Sequence, residues 1–313
     1  MAGLSSSSPG TSGLVSIMRR YPLIFFFVLA YGVTWLLWSP LLVFGVPAFS
    51  EQTHTPALAS LPGIAIGVTG SAFLMTALTQ GRAGVRRLLQ RLVWWRVGVC
   101  WFGVAVLLIP LSQVLVAAAL GSPDALRALT PAALWFYPAA YLAHFIFGPL
   151  FEETGWRGFA LPRIQHRFGP LRGTLVLGVL WSGWHFFLYV PVWAQDGVLG
   201  VAAGAVVFTV TTTALSFLFT WLFNNTRASL LLAILLHGSV DGTATYLQVL
   251  ADKGVISGDA ASVSIQYGLL IACVLWAVAL AVATRGRLSY PRYRIEAEQL
   301  DLHPLTPPPR VPD

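Results

Sequence analysis

Charge is scarce in this chain of 313 residues. Only 10% of the residues are Asp, Glu, Lys or Arg, and 56% are hydrophobic. A soluble domain carries roughly 25% charged residues, so this composition excludes an ordinary soluble globule and points to the bilayer. Cysteine is equally rare: Cys100 and Cys273 stand alone, each inside an apolar run, which excludes a disulfide framework and leaves both as small packing residues. Lysine is reduced to Lys253. Basic charge is therefore almost all arginine, which, with abundant alanine and glycine, suggests a GC-rich, bacterial genome. The formal net charge is +7, but the arginines sit in short segments between apolar runs rather than on one solvated face, so nucleic acid is not a partner and anionic lipid is.

What is present is a series of apolar runs. They cover about residues 22–46, 61–80, 99–120, 131–155, 173–193, 201–223, 229–250 and 265–284. Each approaches the roughly 20 residues that a spanning helix needs. The first exceeds the length of a signal-peptide core and is read as a retained helix. The expected fold is therefore all-α, a polytopic membrane bundle of about eight helices around an embedded polar site, because lipid leaves a backbone few other solutions. With a cytoplasmic N-terminus, seventeen of the nineteen basic residues fall on the inside and only Arg127 and Lys253 outside. The positive-inside rule then puts both termini in the cytoplasm. Residues 1–18 and 285–313 are expected to be disordered, with a membrane domain between them over 19–284. The stretch 81–97, with Arg82, Arg86, Arg87 and Arg91 among valines and leucines, is expected as an amphipathic interfacial helix.

Three of the twelve acidic residues lie inside apolar segments: Glu152, Glu153 and Asp241. Three histidines do too: His144, His185 and His237. Ionisable groups at such depth are expensive and are kept for use. On a helix, residues four apart share a face. That pairs Glu153 with Arg157 and His237 with Asp241, puts Trp181 one turn before His185, and turns Glu152 elsewhere. His144 matches no such pattern and is read as a structural hydrogen bond. At about 1.5 Å per residue, His237 and His185 lie about 12–18 Å from the arginine-rich ends of their helices. Glu152 lies about 6 Å from its own, on a helix read as ending near Gly155. A carboxylate and two imidazoles can activate water, shuttle its proton and stabilise an oxyanion. Glu152, His185 and His237 could equally hold a divalent metal such as zinc, although the His-Glu-x-x-His spacing of common zinc proteases is missing.

This constellation resembles the CPBP family, the CAAX prenyl protease and bacteriocin-processing (ABI) intramembrane proteases. Its pattern of Glu-Glu-x-x-x-Arg, Phe-x-x-x-His and His-x-x-x-Asn stands here as Glu152-Glu153 with Arg157, Trp181 with His185, and His237 with Asp241, within core motifs over 131–250. The resemblance implies an intramembrane endopeptidase that cleaves a peptide or membrane-protein substrate near the cytoplasmic face. In it Glu152 is the general base, His185 assists, and His237 and Asp241 sit at the oxyanion position. Glu153, Arg157 and Trp181 support them. Two positions depart from the pattern: Trp181 stands for phenylalanine and Asp241 for asparagine. An ionised aspartate accepts hydrogen bonds but donates none, which keeps open a non-catalytic membrane scaffold of the same fold, while the embedded acids and histidines, as a relay, keep open a proton-coupled transporter.

Overall fold

A computed structural model describes residues 13–44, 58–145 and 148–299. Among them there is no strand, and the chain is a bundle of apolar helices. The helices that build it are α1 (Pro22–Val43), α2 (Gly63–Leu92), α3 (Cys100–Ala119), α4 (Tyr137–Phe145), α5 (Pro149–Phe168), α6 (Pro170–Trp193), α7 (Gly197–Asn225), α8 (Leu230–Asp252), α9 (Gly258–Ala283) and α10 (Tyr290–Gln299).

Among the described residues, six continuous helical stretches are long and apolar enough to cross a membrane, and the bent α4–α5 pair, taken as one span, raises the number to seven. One stretch, Pro170–Asn225, has 56 residues, which as one helix would run about 84 Å. It folds back instead at Ala194–Asp196. Thr174 Oγ1 donates to Thr220 Oγ1 at 2.9 Å, and Ser182 and Thr209 share a hydrogen bond of 2.9 Å. Partners that descend in α7 as they ascend in α6 define an antiparallel hairpin, so this stretch contributes two legs rather than one.

Helix α8 lies at the centre: 78% of its most apolar window is buried inside the protein, against 17–44% for the other spans. It packs on α3, α4 and α5, while the α6–α7 hairpin closes one side with α9 behind it. Close approach elsewhere depends on glycine, as membrane helices favour. A Cβ on Gly67 would fall 2.0 Å from Thr34 Oγ1, so α1 and α2 touch backbone to backbone there. Gly155, inside the Glu-Glu motif, faces Val68 Cγ1 at 2.4 Å from where its own Cβ would stand. Gly155→Val is therefore expected to destabilise the protein by about 1–3 kcal/mol through overpacking, read as a lower unfolding temperature in detergent; an unchanged temperature would contradict this packing.

Several expectations change. The chain does not run as one helix through residues 131–155. Pro149, which fits the first turn of a helix, starts α5 afresh. Glu152 therefore lies in the opening turn of α5 rather than near the C-terminal end of a helix, and α5 continues to Phe168 through a π-helical turn, Trp156–Ala160. Residues expected to form a basic loop are thus helical, with Arg157 and Arg163 buried. Cys100 is exposed, and only Cys273 is a buried packing residue. The N-terminal stretch expected to be disordered is helical over Gly13–Arg20, with residues 1–12 outside the described region.

The tail expected to be disordered from 285 holds α10, while residues 300–313 lie outside the described region. Helix α10 docks: Tyr293 is buried against Phe223, 5.5 Å between ring centroids, and Asn224 Nδ2 donates to Leu288 O at 2.8 Å. The amphipathic stretch over 81–97 begins with a backbone break at Gly81, where φ is 64°, and its helical part ends at Leu92.

Candidate active site

Helices α5, α6 and α8 bring the embedded polar residues together. Glu152 and Glu153 point to different sides, as their 100° offset requires. Glu152 Oε2 accepts from Trp181 Nε1 at 2.9 Å and from Trp156 Nε1 at 3.3 Å, and His185 Nε2 lies 3.8 Å from the same oxygen. Glu153 Oε1 accepts from Arg157 Nη1 and from His237 Nδ1, both at 2.8 Å. On α8, Asp241 Oδ2 sits 3.6 Å from His237 Nε2. Glu153 and Arg157 are fully buried and Glu152, Trp181 and His237 nearly so, whereas the side chain of Asp241 is 31% exposed and opens the site to its surroundings.

The hydrogen bonds fix the proton positions. His185 Nδ1 lies 2.9 Å from Trp181 O. A carbonyl only accepts, so Nδ1 carries the hydrogen and Nε2 is the nitrogen turned to Glu152. His237 presents Nδ1 to one carboxylate and Nε2 to another, an environment that suits a ring with a proton on each nitrogen.

Trp181 is the hub, a role its sequence position did not reveal. Its indole N–H orients Glu152, its carbonyl orients His185, and its ring stands edge-on to both His185 and His237 at centroid distances of 5.9 and 5.3 Å. It also forms half of an aromatic clamp. The Arg157 guanidinium lies 4.0 Å from the centre of the Trp181 ring and 3.8 Å from that of Phe219. A desolvated guanidinium between two aromatic faces is worth about 2 kcal/mol or more per contact. Phenylalanine at 181 would keep the ring and lose the donor, so the departure from the family pattern adds a bond to Glu152. Trp156 and Phe219 are the site residues that the spacing arguments missed; the i, i+4 offset of Trp156 from Glu152 was the available signal. His144 lies apart in a structural hydrogen bond, 2.7 Å from Thr245 Oγ1.

Among the described residues no group of three His, Cys, Asp or Glu side chains is arranged to hold a metal ion.

Fold and site together define a polytopic helical membrane protein with a buried Glu–His centre. Residues 133–243 match the family described as Rce1-like, type II CAAX prenyl endopeptidase. The chain is also 27% identical over 123 residues to CAAX prenyl protease 2 of Methanococcus maripaludis, across 39% of this chain and 45% of that protein. The chain thus spans less than half the length of this curated relative. Both findings agree with the resemblance carried by Glu152–Arg157, Trp181–His185 and His237–Asp241, and they support the CPBP family for this chain.

Proposed function

We propose that the protein is an intramembrane endopeptidase that hydrolyses a peptide bond with a glutamate-activated water. The observation that carries this reading is the approach of His185 Nε2 on α6 to Glu152 Oε2 on α5 at 3.8 Å, with each group oriented by Trp181. Two acceptors at that separation suit a water that donates to both, and a general base acts through such a contact. Glu152 takes the proton as the water oxygen attacks the scissile carbonyl, and His185 assists its passage to the leaving amine. His237, held by Glu153, offers Nε2–H to the developing oxyanion. Asp241 stands where the family has asparagine, and it serves here by keeping that nitrogen protonated rather than by donating itself. The relative's name speaks of CAAX-type prenylated tails; for this chain the proposed substrates are the broader class of peptides or membrane proteins held at the bilayer. Cleavage on the cytoplasmic side with both termini cytoplasmic, in a bacterial cell membrane, completes the proposal.

The test compares membrane-protein termini by mass spectrometry between cells carrying the native protein and cells carrying Glu152→Gln at equal abundance. Termini found only with the native protein, and reproduced with purified components, name the reaction and the substrate. Identical sets of termini, with a folded variant, would sink the general base and favour a scaffold role. Because no metal step is needed, cleavage is expected to survive dialysis against excess chelator; loss of activity restored by added zinc would overturn that expectation.

A further inference from the structure

A second polar feature lies at the arginine-rich end of the bundle, away from the Glu–His centre. Its origin is in the covalent structure of α5. Pro162 has no N–H, so the carbonyls one turn before it lose their helical donor. Arg91, reaching in from α2, replaces it: Nη1 donates to Gly158 O at 3.1 Å and Nη2 to Arg157 O at 3.3 Å, while Nε donates to Ala228 O at 2.9 Å. Arg163 Nη1 donates to Phe159 O at 2.9 Å, and its guanidinium lies 3.7 Å from the Phe159 ring centre. These contacts explain why both arginines are held in place. They do not neutralise them.

Both arginines line one small recess, about 20 Å³ in volume and open at its mouth, lined also by Thr76, Gln80, Arg87 and Gly158. Its lining contains no carboxylate. Among the described residues neither Arg91 nor Arg163 has an ion-pair partner. Arg163 is only 5% exposed, yet its Nε has no hydrogen-bond partner there. The neighbouring Tyr293 cannot serve as a counter-charge, because burial pushes its hydroxyl up to about 12 and keeps it neutral. Buried charges ordinarily need a partner, and a guanidinium carries five N–H donors, of which Arg91 spends three here.

We infer that this recess is an anion site for a phosphate group, held by Arg91 and Arg163 with Thr76 and Gln80 at its wall. Guanidinium forks match phosphate geometry. The phosphate is either that of an anionic lipid headgroup or a free phosphate, and the inference stands independently of the proposed protease activity.

The test measures the unfolding temperature of the full-length protein in phosphatidylcholine nanodiscs. One arm titrates inorganic phosphate against chloride at constant ionic strength, and the other replaces part of the phosphatidylcholine with phosphatidylglycerol. A saturable rise of about 5 °C is expected in at least one arm. Arg163→Gln is expected to abolish it and Arg163→Lys to restore part of it, since Arg91 still completes the α5 turn in both. Thr76→Val, a smaller change in the same wall, is expected to weaken binding several-fold and serves if Arg163→Gln does not fold. A rise only with phosphatidylglycerol assigns the site to a headgroup, and a rise with phosphate in solution assigns it to the free anion. No rise in either arm, or an equal rise in Arg163→Gln and Thr76→Val, overturns the inference.

Discussion

Replacing Arg157 by leucine is expected to cost about 3–5 kcal/mol of stability, the loss typical when one partner of a buried ion pair is removed. Arg157 is fully buried, bonds Glu153 at 2.8 Å and fills the space between Trp181 and Phe219. Leucine would leave Glu153 charged and dry with only His237 to answer it, and would open a gap between the two rings. Thermal or denaturant unfolding in detergent measures the effect. The informative control is Glu153→Gln combined with Arg157→Leu: once the carboxylate is neutral, the double variant should recover part of the loss. If Arg157→Leu unfolds like the native protein, the clamp described here is not what holds α5 to α6 and α7.

The other large effect concerns rate. With purified protein and a confirmed substrate, Glu152→Gln is expected to lower the cleavage rate by about 10²–10⁴-fold, the usual contribution of a general base. Glutamine keeps the side-chain shape and still accepts from the Trp181 and Trp156 indoles, so the unfolding temperature should hardly move. Trp181→Phe is the companion experiment. It keeps the ring against Arg157 and the backbone carbonyl that orients His185, and removes only the 2.9 Å bond to Glu152. A loss of about tenfold, carried by kcat with KM unchanged, is expected of a positioning residue. Full activity in Glu152→Gln would remove the base from the mechanism. A Trp181→Phe effect confined to KM would reassign Trp181 to substrate binding.

Sequence was most informative where partners lie on one helix. Glu153 with Arg157 and His237 with Asp241 are four-residue spacings, and both meet as the helical repeat requires. Contacts between helices were legible only as a gathering of rare polar groups, which is why the bond from His237 to Glu153 emerged only with the fold. The α5 region was misread for a specific reason. Arginine and proline in Arg157–Arg163 look like a cytoplasmic loop to any argument from hydropathy, but aromatic faces and borrowed backbone partners let both arginines enter the helix interior. The docked α10 was hidden similarly, because its charged surface masks Tyr293, one of the few residues that anchor it.

The two buried carboxylates also set an order of biogenesis. Each has one partner four residues on in its own helix, Trp156 for Glu152 and Arg157 for Glu153. Each takes a second partner from chain made later: Trp181 follows Glu152 by 29 residues, and His237 follows Glu153 by 84. At ribosomal speeds of about 5–20 residues per second, Glu153 waits roughly 4–17 s for its histidine. Until then Arg157 is the partner that Glu153 has within its own helix. The local half of each pair thus acts as a chaperone written into the chain, and the centre becomes whole only after the helix that carries His237 has left the ribosome.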